Sequence, residues 1–333
     1  MFGKKNLLAV SLERTGVNRL MNLWGCWRGV LVLNYHRIGS PQGTYFDHGI
    51  WSASAENFEH QIEWCKQETD LIGLADLDRE LANPKARATL ITFDDGYIDN
   101  YQTAFPILKR HQAPAVFFLT SGFLDDGRAA WWDQIAWIVR ASLSDSIPEN
   151  PWTKSAVLFD EPHRNQAIQS LLQVYKSIPW DETAEFLAYL GEVTGVGACP
   201  RPAPGSMWMT WDMVRTMRDG GMTFGAHTVR HPILARLSRD EQWREISISK
   251  LRVEQELSQP VESFSYPVGA ADCFNDDTMS CLKEAGFRWS FSFYGNYARP
   301  GHSSPLNIPR IAIDPHLSTS RFRSMLTLPQ VFT

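Results

Sequence analysis

Leu90-Ile91-Thr92-Phe93-Asp94-Asp95-Gly96 decides the reading of this chain. An apolar, β-branched run stops abruptly at two adjacent carboxylates and a glycine. Residues 88–93 predict a short buried strand, and Gly96 breaks it. In α/β folds, acids at the C-terminal mouth of such a strand sit where the chemistry is placed. Adjacent side chains point to different sides, so one carboxylate can hold a metal while the other handles a proton. The alternative is an Asp-Asp-Gly turn that only closes a strand.

A second cluster, Gly225-Ala226-His227-Thr228-Val229-Arg230-His231-Pro232, follows the apolar stretch Met222-Thr223-Phe224. Two histidines four apart share one face of a helix or converge in a tight loop, and imidazole is a common ligand for zinc-like ions. Alone, H-x-x-x-H is a weak signal with many structural or surface origins. With a strand-end Asp-Asp it completes a His, His, Asp donor set for an open metal site.

With these residues the chain resembles the polysaccharide deacetylases with NodB homology (carbohydrate esterase family 4). The T-F-D-D-G motif of that family stands as Thr92 to Gly96, and H-[ST]-x-x-H as His227, Thr228 and His231. Asn34-Tyr35-His36-Arg37 is similar to the Y-H segment that opens many members. Ser265-Tyr266-Pro267-Val268-Gly269 resembles the Y-P-x-G form of the third motif, and Met209-Thr210-Trp211-Asp212 is also in keeping. The resemblance spans roughly residues 28–315.

Candidate strands at 30–35, 88–93, 115–119, 222–226, 263–266, 289–293 and 308–313 alternate with helical patterns near 55–67, 99–112, 211–220, 240–258, 275–286 and 318–327. This alternation predicts a mostly parallel α/β architecture. Periodicity does not separate a barrel from an open sheet. The resemblance implies a distorted (β/α) barrel of about seven strands, NodB-like. We expect an N-terminal helical segment at 1–28 and the deacetylase domain at 29–333. Asp95 and His227 are separated by 132 positions, and the excess lies at about 125–208 and reads as a helical insertion. Trp131 and Trp132 open it, either lining a glycan cleft by ring stacking or packing the insertion onto the barrel.

A net charge of −5 with no basic run interleaved with aromatics argues against nucleic-acid binding. Five cysteines without C-x-x-C read as free thiols. No clear signal peptide or spanning run is present. Leu7, Leu8, Leu12, Leu20, Leu23 and Trp24 form an apolar stripe near residues 6–25. Packing against the domain is the preferred explanation, and a membrane surface is the alternative. The expected location is cytoplasmic, peripheral to the inner membrane if the stripe touches lipid.

By resemblance, Asp95, His227 and His231 hold one divalent ion, zinc first, with cobalt, nickel or iron also suited to the donors. Asp94 is the general base. The better-known third motif has an arginine where Ser265 stands, so Arg310 is the candidate to orient Asp94, against a plain structural ion pair. His36 is preferred over His316 as proton donor. Tyr266, with a backbone N–H near it as oxyanion donor, and Pro267, Trp131, Trp132 and His316 are substrate-binding candidates. The implied reaction is removal of N-acetyl groups from an acetamido sugar of a polysaccharide or its precursor. Alternatives are an N-deformylase or amidase of a small molecule, an O-deacetylase, or a silent glycan-binding protein. The oligomeric state is left open.

Overall fold

Alternation along the strands sorts the core into two layers. The structure is a computed structural model describing residues 2–160 and 163–333, except the side chains of residues 2, 3, 19 and 23. Its main sheet is parallel throughout: β1 (Gly29–Tyr35), β2 (Asp70–Ile72), β3 (Arg87–Phe93), β4 (Ala115–Leu119), β5 (Thr223–Ala226), β6 (Ser263–Ser265), β7 (Trp289–Phe291) and β8 (Ile311–Ala312). The order across it is β7-β6-β5-β4-β3-β1-β8, with β2 beside the first half of β3. Ile308 bridges to Phe291 of β7, and Ile311 pairs with Leu33 of β1. One short segment therefore joins the two edges of the sheet, giving the distorted (β/α) barrel. The strand β2 was not expected, because three residues are too few to show a period.

Leu31, Leu33, Ile91, Phe93, Phe117, Phe224 and Phe264 form the layer beneath the outer helices, meeting Phe58 and Ile62 of helix Ala55–Glu68. Val30, Val32, Leu90, Val116, Phe118 and Phe291 are the alternate residues and form a separate apolar cluster inside the barrel. Burial on both faces explains why these strands read as continuous apolar runs. Phe93 stacks on Phe117 with centroids 4.7 Å apart, and burying such a ring contributes about 2–3 kcal/mol. Gly225 is required for close packing, since a Cβ there would meet the Phe118 ring at 2.4 Å. Towards the strand ends the inner face turns polar, with Asn34, Thr92, Asp94, Ser265 and Arg310 hydrogen-bonded together.

Between β4 and β5 lies the helical insertion, with helices Trp131–Ala141, Arg164–Ser177 and Thr183–Val193. It has its own apolar cluster, including Ile135, Phe159, Leu171, Phe186 and Leu190. A small antiparallel pair, Ser146–Ile147 with Val157–Leu158, was not expected, again because its strands are two residues long.

At the N-terminus, helices Phe2–Arg14 and Val17–Trp24 rest on helix Thr319–Thr327. Asn18 Nδ2 donates to Ser324 Oγ at 2.8 Å, and Glu13 pairs with Arg323. Ala9 and Leu12 pack inward, but Leu7, Leu8, Leu20 and Trp24 are exposed. The preferred explanation for the stripe, packing against the domain, therefore fails for those four residues: polar contacts seat the second helix. The Leu23 side chain lies outside the described residues.

Candidate active site

Strand ends converge here because the sheet curls. β3 runs into Asp94 and Asp95, and β5 runs into the loop from His227 to His231. Asp95 Oδ1 lies 3.6 Å from Nε2 of His227 and 3.6 Å from Nε2 of His231. These separations are too long for hydrogen bonds. Asp95 Oδ1 is buried and has no hydrogen-bond partner among the described residues. His227 Nδ1 faces the Ser265 carbonyl at 2.7 Å, and since a carbonyl only accepts, Nδ1 carries the proton. Its Nε2 lone pair is thereby aimed at Asp95, the arrangement found behind metal-ligating histidines.

An orphaned carboxylate oxygen between two bare imidazole nitrogens suits a divalent cation, and one donor atom from each residue lies within 4.8 Å of the others. Burial, then the neighbouring Asp94, pushes the Asp95 carboxyl well above the usual range. Burial holds His227 low and His231 well below the usual value, which keeps both in the neutral, ligating form.

The loop that carries the histidines is strained and braced. Asp95, Thr228 and His231 have φ of 76°, 64° and 59°, a region non-glycine residues rarely occupy. Thr228 Oγ1 accepts from the His231 N–H at 3.0 Å. Buried Glu245 accepts from the N–H groups of Val229 and Arg230 at 2.8 and 2.9 Å, and from Arg230 Nε at 2.7 Å. Gly122 passes so close behind the loop that a Cβ would meet the Val229 carbonyl oxygen at 2.4 Å.

Asp94 occupies a different environment one residue away. Arg310 Nη1 and Nη2 donate to its two oxygens at 2.8 and 2.7 Å. Asn34 Nδ2 and Ser265 Oγ add donors at 3.2 and 3.1 Å. Burial alone would raise this carboxyl, but Arg310 and then His227 outweigh it and hold Asp94 well below the carboxylate range. Neighbouring acids are thus driven in opposite directions, the pattern that separates acid–base roles in enzyme sites.

The cavity over these groups, about 350 Å³, is lined by His36, Trp131, Trp132, Tyr266 and Lys176 among others. His36 sits edge-on to Phe293, and burial lowers its pKa to about 4 despite the opposing pull of Asp94. Trp132 stands edge-on to His231 at 4.6 Å, and Trp131 stacks on Tyr175 at 4.3 Å. Their indole N–H groups go to Tyr97 Oη and to the His231 carbonyl. The pair therefore lines the cavity and packs the insertion onto the barrel at once.

The Tyr266 N–H donates to the Phe291 carbonyl at 3.1 Å within the sheet. Two expectations need correction. Pro267 is buried away from the cavity lining, where Val268 stands instead. His316 is exposed and outside the lining, since the turn after β8 brings Asp314 inward in its place.

The family model for polysaccharide deacetylase matches residues 82–145 and 163–290, more than half the chain and both motifs. The chain belongs to that family. YxkH of Bacillus subtilis is 21% identical over 87% of this chain and 74% of that protein. The poly-β-1,6-N-acetyl-D-glucosamine N-deacetylase of Staphylococcus aureus is 30% identical over 111 residues, 29% of this chain and 37% of that protein. Among solved structures, the Streptococcus pyogenes deacetylase PplD in complex with acetate covers 92% of this chain and 98% of its own, with 21% identity and a TM-score of 0.59.

Several groups of this family member's site escaped the sequence reading. Asn34 and Ser265 brace the Asp94–Arg310 pair, and Glu245 braces the histidine loop. Buried Asp133 accepts from Tyr97 Oη, which in turn accepts from Trp132, so a polar chain backs the ring against His231. Asn34 and Ser265 carried a sequence signal, as neighbours of Tyr35-His36 and of Tyr266-Pro267; Glu245 and Asp133 carried none.

Proposed function

We propose that the chain is a metal-dependent hydrolase that removes N-acetyl groups from an acetamido sugar of a polysaccharide or its precursor. The observation carrying this is the pairing, in one cavity, of an orphaned Asp95 oxygen between two neutral histidines with an Asp94 kept ionised by Arg310. The name of the matched S. aureus relative supports the substrate class.

Asp95, His227 and His231 would hold a divalent ion, which when bound would supply Lewis-acid polarisation and a water of pKa about 7. Zinc suits this nitrogen–oxygen donor set, as do cobalt, nickel and iron. Asp94, ionised and fixed by Arg310, takes the proton of the attacking water. The leaving amine then needs a proton. His36, neutral at rest with its pKa near 4, acts as the relay that passes the proton from Asp94 to the amine nitrogen. Trp131 and Trp132 wall the site and exclude water around the scissile amide.

Metal analysis combined with acetate release tests this, using acetylated oligosaccharides and lipid- or nucleotide-linked acetamido sugars. Metal-dependent acetate release from one of these classes is expected. Formate release from N-formyl substrates alone, or release from O-acetyl esters alone, would replace the proposal.

A further inference from the structure

We infer that helix Val17–Trp24, with the adjoining outer face of Phe2–Arg14, docks on an anionic phospholipid surface. The helix is amphipathic in the inverse sense. Val17, Leu20, Met21 and Trp24 recur at helical spacing, yet Leu20 is 59% and Trp24 84% exposed, while Asn18 is buried against Ser324. Leu7 and Leu8 of the preceding helix are 71% and 45% exposed. A protein in water normally turns such a stripe inward, so a large apolar face left outside marks a surface meant to be covered.

Charge says what covers it. Residues 1–28 contain five cations, Lys4, Lys5, Arg14, Arg19 and Arg28, and one acid, Glu13: a net charge of +4 in a chain of −5. Glu13 is taken up by Arg323 and Ser320. Lys4, Arg14 and Arg28 are exposed. Beside the end of the helix a cleft is lined by Arg28, Arg299 and His302, groups that suit a phosphate headgroup. Tryptophan and leucine with surrounding lysine and arginine are the makeup of a helix lying in a negatively charged interface. Among the described residues no helix is long and apolar enough to cross a membrane.

The position is also informative. Asn22 accepts from Arg87, the first residue of β3, whereas Asp94 follows its last. The docking face is therefore at the end of the barrel opposite the metal site, and binding there leaves the mouth open.

The test is co-sedimentation of the full chain with vesicles of phosphatidylcholine alone or mixed with phosphatidylglycerol, at low and high salt. Binding is expected only to the mixed vesicles and should weaken with salt. The double variant Leu20→Glu, Trp24→Glu should lose at least about tenfold in vesicle binding, with unfolding temperature and acetate release from a soluble substrate unchanged. The milder Leu20→Ser, Trp24→Ala pair guards against misfolding. Absence of wild-type binding to mixed vesicles, wild-type-like binding by both variants, or a dimer that these variants break without change in vesicle binding would each overturn the inference.

Discussion

Arg310 grips Asp94 through two parallel hydrogen bonds, Nη1 to Oδ1 at 2.8 Å and Nη2 to Oδ2 at 2.7 Å, across 216 residues of chain. Both side chains are almost wholly buried. Such a pair is costly to break on one side, by roughly 3–5 kcal/mol, because the surviving charge stays buried. Asn34 and Ser265 touch both partners, so the guanidinium is itself held in place.

Arg310→Met should therefore shift the acid limb of the activity profile. Arg310 opposes the rise that burial imposes on Asp94, so its loss raises the carboxyl towards or above the usual ~3.9. The limb should move to higher pH while bound metal is retained. A kcat/KM profile over acid pH checks this, and an unmoved limb would assign Asp94's ionisation to another group.

Asp94→Asn keeps the size and shape of the side chain but cannot take up a proton, and it sets an amide donor against donors that now face a carboxylate oxygen. Turnover should fall on the order of 10²–10⁴-fold, the range for losing a general base. Metal content, measured on the same sample, should be unchanged.

His36→Gln should discriminate by leaving group. An amine must be protonated to depart, whereas a phenol-like leaving group departs unaided. Amide hydrolysis should drop at least about tenfold more than hydrolysis of an activated acetyl ester. Equal losses on both substrates would reduce His36 to a structural wall.

Glu245→Gln removes a charge that fastens the two N–H groups between the metal-site histidines. Metal affinity should weaken on the order of 10–100-fold, as for other groups supporting ligands. Calorimetric titration with zinc reads this directly, and unchanged affinity would confine Glu245 to fold stability.

Chelation should abolish acetate release and lower the unfolding temperature. The effect of pH follows from Asp95. Its folded pKa is raised in the metal-free site, so its contribution to stability is present below the unfolded value and is lost as pH rises through the folded one. Above that folded pKa the buried Asp95 carboxylate destabilises the metal-free protein, and a cation relieves the buried charge. Protons compete with the cation as pH falls. The gain in unfolding temperature on adding zinc should shrink towards acid pH, and calorimetry with and without metal checks it.

What the sequence determined by itself was local. Asp94 and Asp95 are adjacent at a strand end, and His227 and His231 are close in chain, so both motifs and the alternation of strands and helices were legible. Placement of Arg310 depended on β8 closing the sheet between β7 and β1, which no periodicity specifies. The bracing roles of Asn34, Ser265 and Glu245 were not legible, because each acts on a partner many residues away. The terminal helix shows the same division. Its apolar stripe is written in the spacing of Leu20 and Trp24, but which side faces water was decided by the distant Asn18–Ser324 contact. Hydrogen-bond partners and buried charges are properties of three-dimensional neighbours, whereas propensity and spacing belong to the chain alone.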